Sequence, residues 1–153
     1  MPATRHCKLQ AQTSVELKIP YSLEALRWDL DRVQIAWSDC QSCRERRAIF
    51  GYLQAVYDLV SWWSAVGHAD EHAGRALRLR GLEPFLREGP FGAVIRCTAD
   101  PAKVDKRTRS KWSRVLRYAA ACMSSPETVE RFVARHGGVN ECALEFSSRQ
   151  NQN

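Results

Sequence analysis

Residues 49–66 read IFGYLQAVYDLVSWWSAV, and this stretch decides the fold class. Ile49, Leu53, Val56, Val60 and Trp63 recur at steps of three and four, the spacing of one helix face. Phe50, Tyr57 and Leu59 widen that stripe until the helix is apolar on most sides. Such an element must be wrapped by others, so it is predicted to be the central helix of a core. Gln54, Asp58 and two serines interrupt it, so it reads as a buried helix and not as a membrane span. Gly67 ends it.

Elements on either side follow the same period. Ser22 is a good N-cap, and Leu23, Leu26, Leu30, Val33 and Trp37 form an apolar stripe behind it. Polar residues 38–47, SDCQSCRERR, break the pattern. A third helix is predicted over 68–80, with Ala69, Ala73, Ala76 and Leu77 inward and Gly81 closing it. Residues 81–100 hold three glycines and Pro84 and Pro90, and read as a linker. Within them, Phe91–Cys97 fits a short strand or a helical turn equally well. Asp100-Pro101 and Ser125-Pro126 each read as an N-cap followed by a first helical position, placing helices from 101 to about 123 and from 126. Ser124 and Glu127 also have capping-box spacing. Gly137-Gly138 and a short helix, Val139–Phe146, come next, and the tail SSRQNQN is expected to be disordered. Near the other end, Ser14–Ile19 alternates apolar and polar as a short strand does. The predicted fold is therefore all-α, a compact multi-helix bundle with room for one minor two-stranded β-ribbon. Its expected organisation is an N-terminal helical lobe (1–97) and a C-terminal basic three-helix lobe (98–153), packed as one unit. The five tryptophans all lie in helix-like stretches and are expected to be core packing.

Charge is concentrated in one place. Residues 103–122, KVDKRTRSKWSRVLRYAAAC, contain Lys103, Lys106, Arg107, Arg109, Lys111, Arg114 and Arg117 against Asp105 alone. Their net charge of +6 equals that of all 153 residues, so the rest of the chain is neutral in sum. Solvated helix faces usually interleave both signs; a one-signed stripe is the footprint of a surface that meets a polyanion. At about 100° per residue, Trp112, Val115, Leu116, Ala119, Cys122 and Met123 make an inward stripe. Tyr118 then falls among the cations, where it would stack on bases. Two smaller clusters, Arg44/Arg46/Arg47 and Arg75/Arg78/Arg80, would extend the surface. Neutralising about six phosphates would make binding fall roughly 10³-fold between 50 and 200 mM salt.

Residues 126–146 have the lengths of a helix-turn-helix. The would-be reading helix, however, holds Asn140, Glu141 and Glu145 and no base, so a plain three-helix packing unit is the favoured reading. The segments KWSRVLRYAAA and RHGGVNECA resemble ones in uncharacterised bacterial and phage-type proteins, a resemblance that implies no activity.

Chemistry-bearing motifs are sparse. Cys40-x-x-Cys43 and His68-x-x-Glu71-His72 suggest a Cys₂His₂ zinc site or an inverted zinc-protease motif. The helix of about eighteen residues between them would hold the pairs roughly 27 Å apart, and two polar histidines at an exposed helix start are the simpler reading. Cys97, Cys122 and Cys142 have no histidine at telling spacing. Neither a glycine-rich phosphate loop nor a nucleophile elbow occurs. No catalytic residue, no metal and no cofactor is expected. The first 14 residues lack the apolar stretch of a signal peptide, so a cytoplasmic protein with reduced thiols is expected. The expected role is a small regulator, or a subunit of a nucleoprotein assembly, that binds DNA or RNA through the face of helix 101–123. The alternative is a non-enzymatic interaction module, such as a phage or mobile-element inhibitor, docking on an acidic protein surface. No membrane partner is expected.

Overall fold

The computed structural model describes residues 20–153, and the strand expected over Ser14–Ile19 lies outside them. The described residues form seven helices and no strand. These are α1 (Leu23–Ser42), α2 (Ile49–Ala65), α3 (Ala69–Leu79), α4 (Gly89–Thr98), α5 (Lys106–Cys122), α6 (Val129–Arg135) and α7 (Val139–Gln150), with a single 3₁₀ turn at Arg46–Ala48 before α2.

α2 touches α1, α3, α4, α5 and α6, the central place its many-sided apolar pattern implies. Tyr52, Leu53, Val56, Leu59, Val60 and Trp63 are its buried side chains. Ser22 caps α1, its Oγ accepting from the Ala25 N–H at 3.0 Å. Leu26, Leu30, Val33 and Trp37 face inward, whereas Leu23 ends up exposed on the first turn. The buried side chains of all seven helices join in one continuous core.

Three rings tie α1, α2 and α5 together. Trp37, Tyr52 and Trp112 meet edge to face, with centroids 5.1 Å apart for the first pair and 6.1 Å for each of the other two. The Tyr52 hydroxyl reaches Thr98 Oγ1 at 2.8 Å, and Thr98 donates in turn to the Val94 carbonyl. One side chain of α2 therefore also fixes α4. Trp28 and Trp62, by contrast, are exposed. Helical periodicity locates a residue on an element, and the neighbours decide whether that side is covered.

Four local expectations are corrected. Residues 89–98 are neither strand nor linker: Pro90 sits in the first turn of α4, whose Phe91, Ala93, Val94, Ile95, Cys97 and Thr98 are buried. α5 begins at Lys106 and not at 101. Asp105 is its N-cap, with Oδ1 accepting from Thr108 N–H at 2.8 Å. Asp100 instead closes a local turn onto Ala102 N–H. Ser125-Pro126 is a cis peptide in a turn, and Thr128 caps α6; Gln54 of α2 adds a second acceptor there, for Val129 N–H at 2.8 Å. Finally, Ser147–Gln150 of the tail are helical and continue α7. Arg114 donates to Ser147 Oγ and Arg149 lies over the Tyr118 ring, so contacts with α5 hold that last turn.

Trp112 joins the basic helix to the rings of α1 and α2. Trp112→Ala should destabilise the protein by about 3–5 kcal/mol, measured as a shift in the urea midpoint. A loss below about 1 kcal/mol would show that α5 is held by other contacts.

Candidate nucleic-acid interface

Asp105 fixes where α5 starts, and Trp112, Val115, Leu116 and Ala119 fix its rotation. Lys106, Ser110, Arg114 and Arg117 are thereby turned away from the core. They line a recess of about 320 Å³ together with Arg109 and Ser113 of α5, Gly92 and Arg96 of α4, and residues 85–88. Its volume is at the small end of ligand-binding clefts, which run from about 300 to 1,000 Å³.

The far wall of the recess is built by a backbone reversal. Arg87 has φ 68° and Gly89 φ 69°. The left-handed region is unfavourable for a residue with a Cβ, by roughly 1–3 kcal/mol. The turn carries Phe85 to within 5.9 Å of Lys106 Nζ and places Arg87 on the recess. Arg96 locks it. Its Nη1 donates to the Glu83 carbonyl and to both Glu88 carboxylate oxygens, all at 2.9 Å, and its guanidinium lies 3.7 Å from the Phe85 ring centroid. Gly92 keeps the approach close: a Cβ would sit 3.0 Å from Glu88 Cγ, which would have to shift, and 3.5 Å from Ser113 Oγ.

The seven basic residues singled out in the sequence are thus divided. Lys106, Arg109, Arg114 and Arg117 converge on the recess, while Lys103 precedes the helix and lines clefts near Trp37. Arg107 and Lys111 are on α5 outside the recess lining. Tyr118 is not on the cationic side at all. It is 1% exposed, packed edge-on against Phe132 and His136, with Arg149 over its ring. No base can stack on it. The packing of α6 and α7 around α5 covers a sector that a lone helix would leave open. Sequence reasoning also missed Phe85, Arg87 and Arg96, which precede the basic run that starts at Lys103. Phe85 is the exposed aromatic beside the cations.

Electrostatically, the recess is one-sided. Among the described residues, none of the seven makes an ion pair with a carboxylate, whereas Arg32, Arg47, Arg80, Arg96, Arg135 and Arg149 each do. Arg96 occupies Glu88, the one carboxylate on the recess. Arg109 Nε is buried and meets no acceptor among the described residues. Of the two accessory clusters, Arg47 is engaged by Glu130 at 2.8 Å and Arg80 by Asp31 at 3.1 Å.

The metal and thiol candidates are placed differently. Cys40 lies in the last turn of α1 and Cys43 just beyond it, while His72 stacks on Tyr21 at the other end, 4.6 Å between centroids. Twenty helical residues span about 30 Å, so the two pairs do not meet. His72 is buried and not at an exposed helix start, against Tyr21 and Trp63. Among the described residues no three His, Cys, Asp or Glu side chains are grouped to hold a metal. Burial pushes the Cys97 and Cys142 thiols up to about 11, so both are protonated at neutral pH and poor nucleophiles.

Comparisons of the chain with protein-family models, with curated proteins and with solved structures find no match. The reading of the site therefore rests on its own geometry.

His72 supplies a pH test of the core. Burial lowers its pKa, and Arg75, whose Nη1 donates to His72 Nδ1 at 3.3 Å, lowers it further. The folded value thus lies below the unfolded one of about 6.5, and between the two the unfolded chain holds the extra proton. Stability contributed by neutral His72 is complete above about pH 6.5 and declines as pH falls below it. The melting temperature should drop between pH 7 and 5, and His72→Phe should flatten that drop. An unchanged pH profile in the variant would contradict this account.

Proposed function

We propose that the protein binds nucleic acid through the cationic face of α5 and the recess beside it. One observation carries the reading. Four cations of α5 and Arg87 share a recess in which no carboxylate pairs with them. Holding like charges together is unfavourable unless a polyanion neutralises them. Arginine also presents a planar fork that suits bidentate contact with phosphate. Lys103, Arg107 and Lys111 flank the recess and lengthen the track for a backbone. Phe85, 53% exposed, takes the stacking role that Tyr118 cannot. Such a protein would act as a regulator or as a subunit of a nucleoprotein assembly in the cytoplasm, and no residue of the site suggests catalysis.

A second reading draws on the apolar rim. Leu86 is 93% exposed next to Phe85, and an exposed apolar pair beside cations also suits a protein surface that is acidic around an apolar pocket. Material purified at low salt separates the two: a 260/280 nm ratio that falls after nuclease or a high-salt wash speaks for nucleic acid.

Neutralising about five phosphates on duplex DNA gives a log–log salt slope near −4.5, a loss of roughly 500-fold between 50 and 200 mM salt. The triple variant Arg109→Glu, Arg114→Glu, Arg117→Glu should lose detectable binding in a low-salt mobility-shift assay, whereas Lys103→Glu should weaken it only a few-fold. Equal losses in the two variants, or undiminished binding by the cooperatively folded triple variant, would refute the reading.

A further inference from the structure

A helix face that merely tracks a strand lies open along its length. The Lys106–Arg117 part of α5 does not. Phe85–Glu88 and α4 wall it on one side, and the wall is stiffened by the Arg96–Glu88 pair and by Phe85 stacked on Arg96. Arg87 is held there in a backbone conformation that costs energy. The recess gathers the side chains of Arg87, Lys106, Arg109, Arg114 and Arg117 with the hydroxyls of Ser110 and Ser113. Ser113 is buried, and so is Arg109 Nε, which meets no acceptor among the described residues.

From this we infer that the recess takes a dianionic phosphomonoester: the phosphorylated end of a nucleic-acid strand, or the same group on a free nucleotide. The inference rests on the nucleic-acid reading only for the first of these sources. An internal phosphodiester brings one negative charge and leaves the strand continuing on both sides. A monoester brings −1.5 to −2 at neutral pH, offers three acceptor oxygens and continues on one side only. The recess matches the monoester in charge and in donors: it sets several cations that pair with no carboxylate around a small volume and adds two hydroxyl donors. Bidentate contact from Arg114 or Arg117 fits a terminal phosphate; their guanidinium groups, which now meet Ser147 and Phe146 of α7, would turn towards it. The attached sugar and base leave the recess over Phe85 and Leu86, the apolar rim.

The experiment compares a 5′-phosphorylated single-stranded oligonucleotide with the 5′-hydroxyl form of the same sequence, and adenosine monophosphate with adenosine, by fluorescence anisotropy and competition at 150 mM salt. The phosphorylated strand should bind about tenfold tighter or more, as expected when two charge-assisted contacts are added. Adenosine monophosphate should compete and adenosine should not. Ser110→Ala should erase the preference while leaving most of the binding of the 5′-hydroxyl strand, whereas Arg109→Gln should weaken both strands. Should Ser110→Ala fail to fold, the ligand comparison on the unaltered protein still decides the matter. Equal affinity for both strands, with no competition by the monophosphate, would overturn the inference while nucleic-acid binding stands. Binding of adenosine monophosphate with no binding of either strand would support the recess as a phosphomonoester site and overturn the nucleic-acid reading. No binding of any of the four would overturn both.

Discussion

The contact of Trp37, Tyr52 and Trp112 holds the arrangement on which everything else depends. Each ring comes from a different helix, and Trp112 is the large aromatic that the basic helix contributes to this cluster. Aromatic rings packed edge to face have a preferred geometry as well as a large buried area, so the cluster sets the rotation of α5 about its axis. That rotation decides which cations reach the recess and which are left beside it. Tyr52 extends the constraint to α4 through Thr98, and α4 carries Gly92 and Arg96, the opposite wall. Core packing and the candidate site are thus two sides of the same helices.

Charge is distributed with corresponding economy. Away from the recess, arginines of α1, α6 and α7, and Arg80 just past α3, find carboxylates. Exposed pairs of this kind contribute little stability, yet they leave those surfaces nearly neutral. Among the described residues, the cations on the recess face of α5 have no such partner. The wall around that face adds two features that a bare charge stripe lacks, a defined volume and an exposed apolar rim.

How much of this was legible depended on which interaction set each feature. The helix-forming stretches of α1, α2 and α3 could be read directly, because 3.6-residue periodicity is a local signal and Ser22, Gly67 and Gly81 punctuate it. The Asp-Pro and Ser-Pro pairs misled in the same direction. Both resemble helix starts, but a later residue, Asp105 after Asp100-Pro101 and Thr128 after Ser125-Pro126, makes the capping bond. α4 was hidden by its glycines and prolines. Its helical state is fixed by burial on both sides, against α3 and α5, and a sequence window does not contain those neighbours. Tyr118 shows the same limit. A helical wheel places it among cations, and only the packing of α6 and α7 shows that this sector is inside.

By itself, then, the amino-acid sequence determined that the chain is helical, that α2 is central and that the positive charge belongs to one amphipathic helix. These are properties of spacing and composition along the chain. The tertiary structure alone decided that the charge faces a recess, that Phe85, Arg87 and Arg96 complete it, and that Tyr118 does not. Those depend on which surfaces meet across the core, and the residues that meet there are up to about thirty positions apart in the sequence.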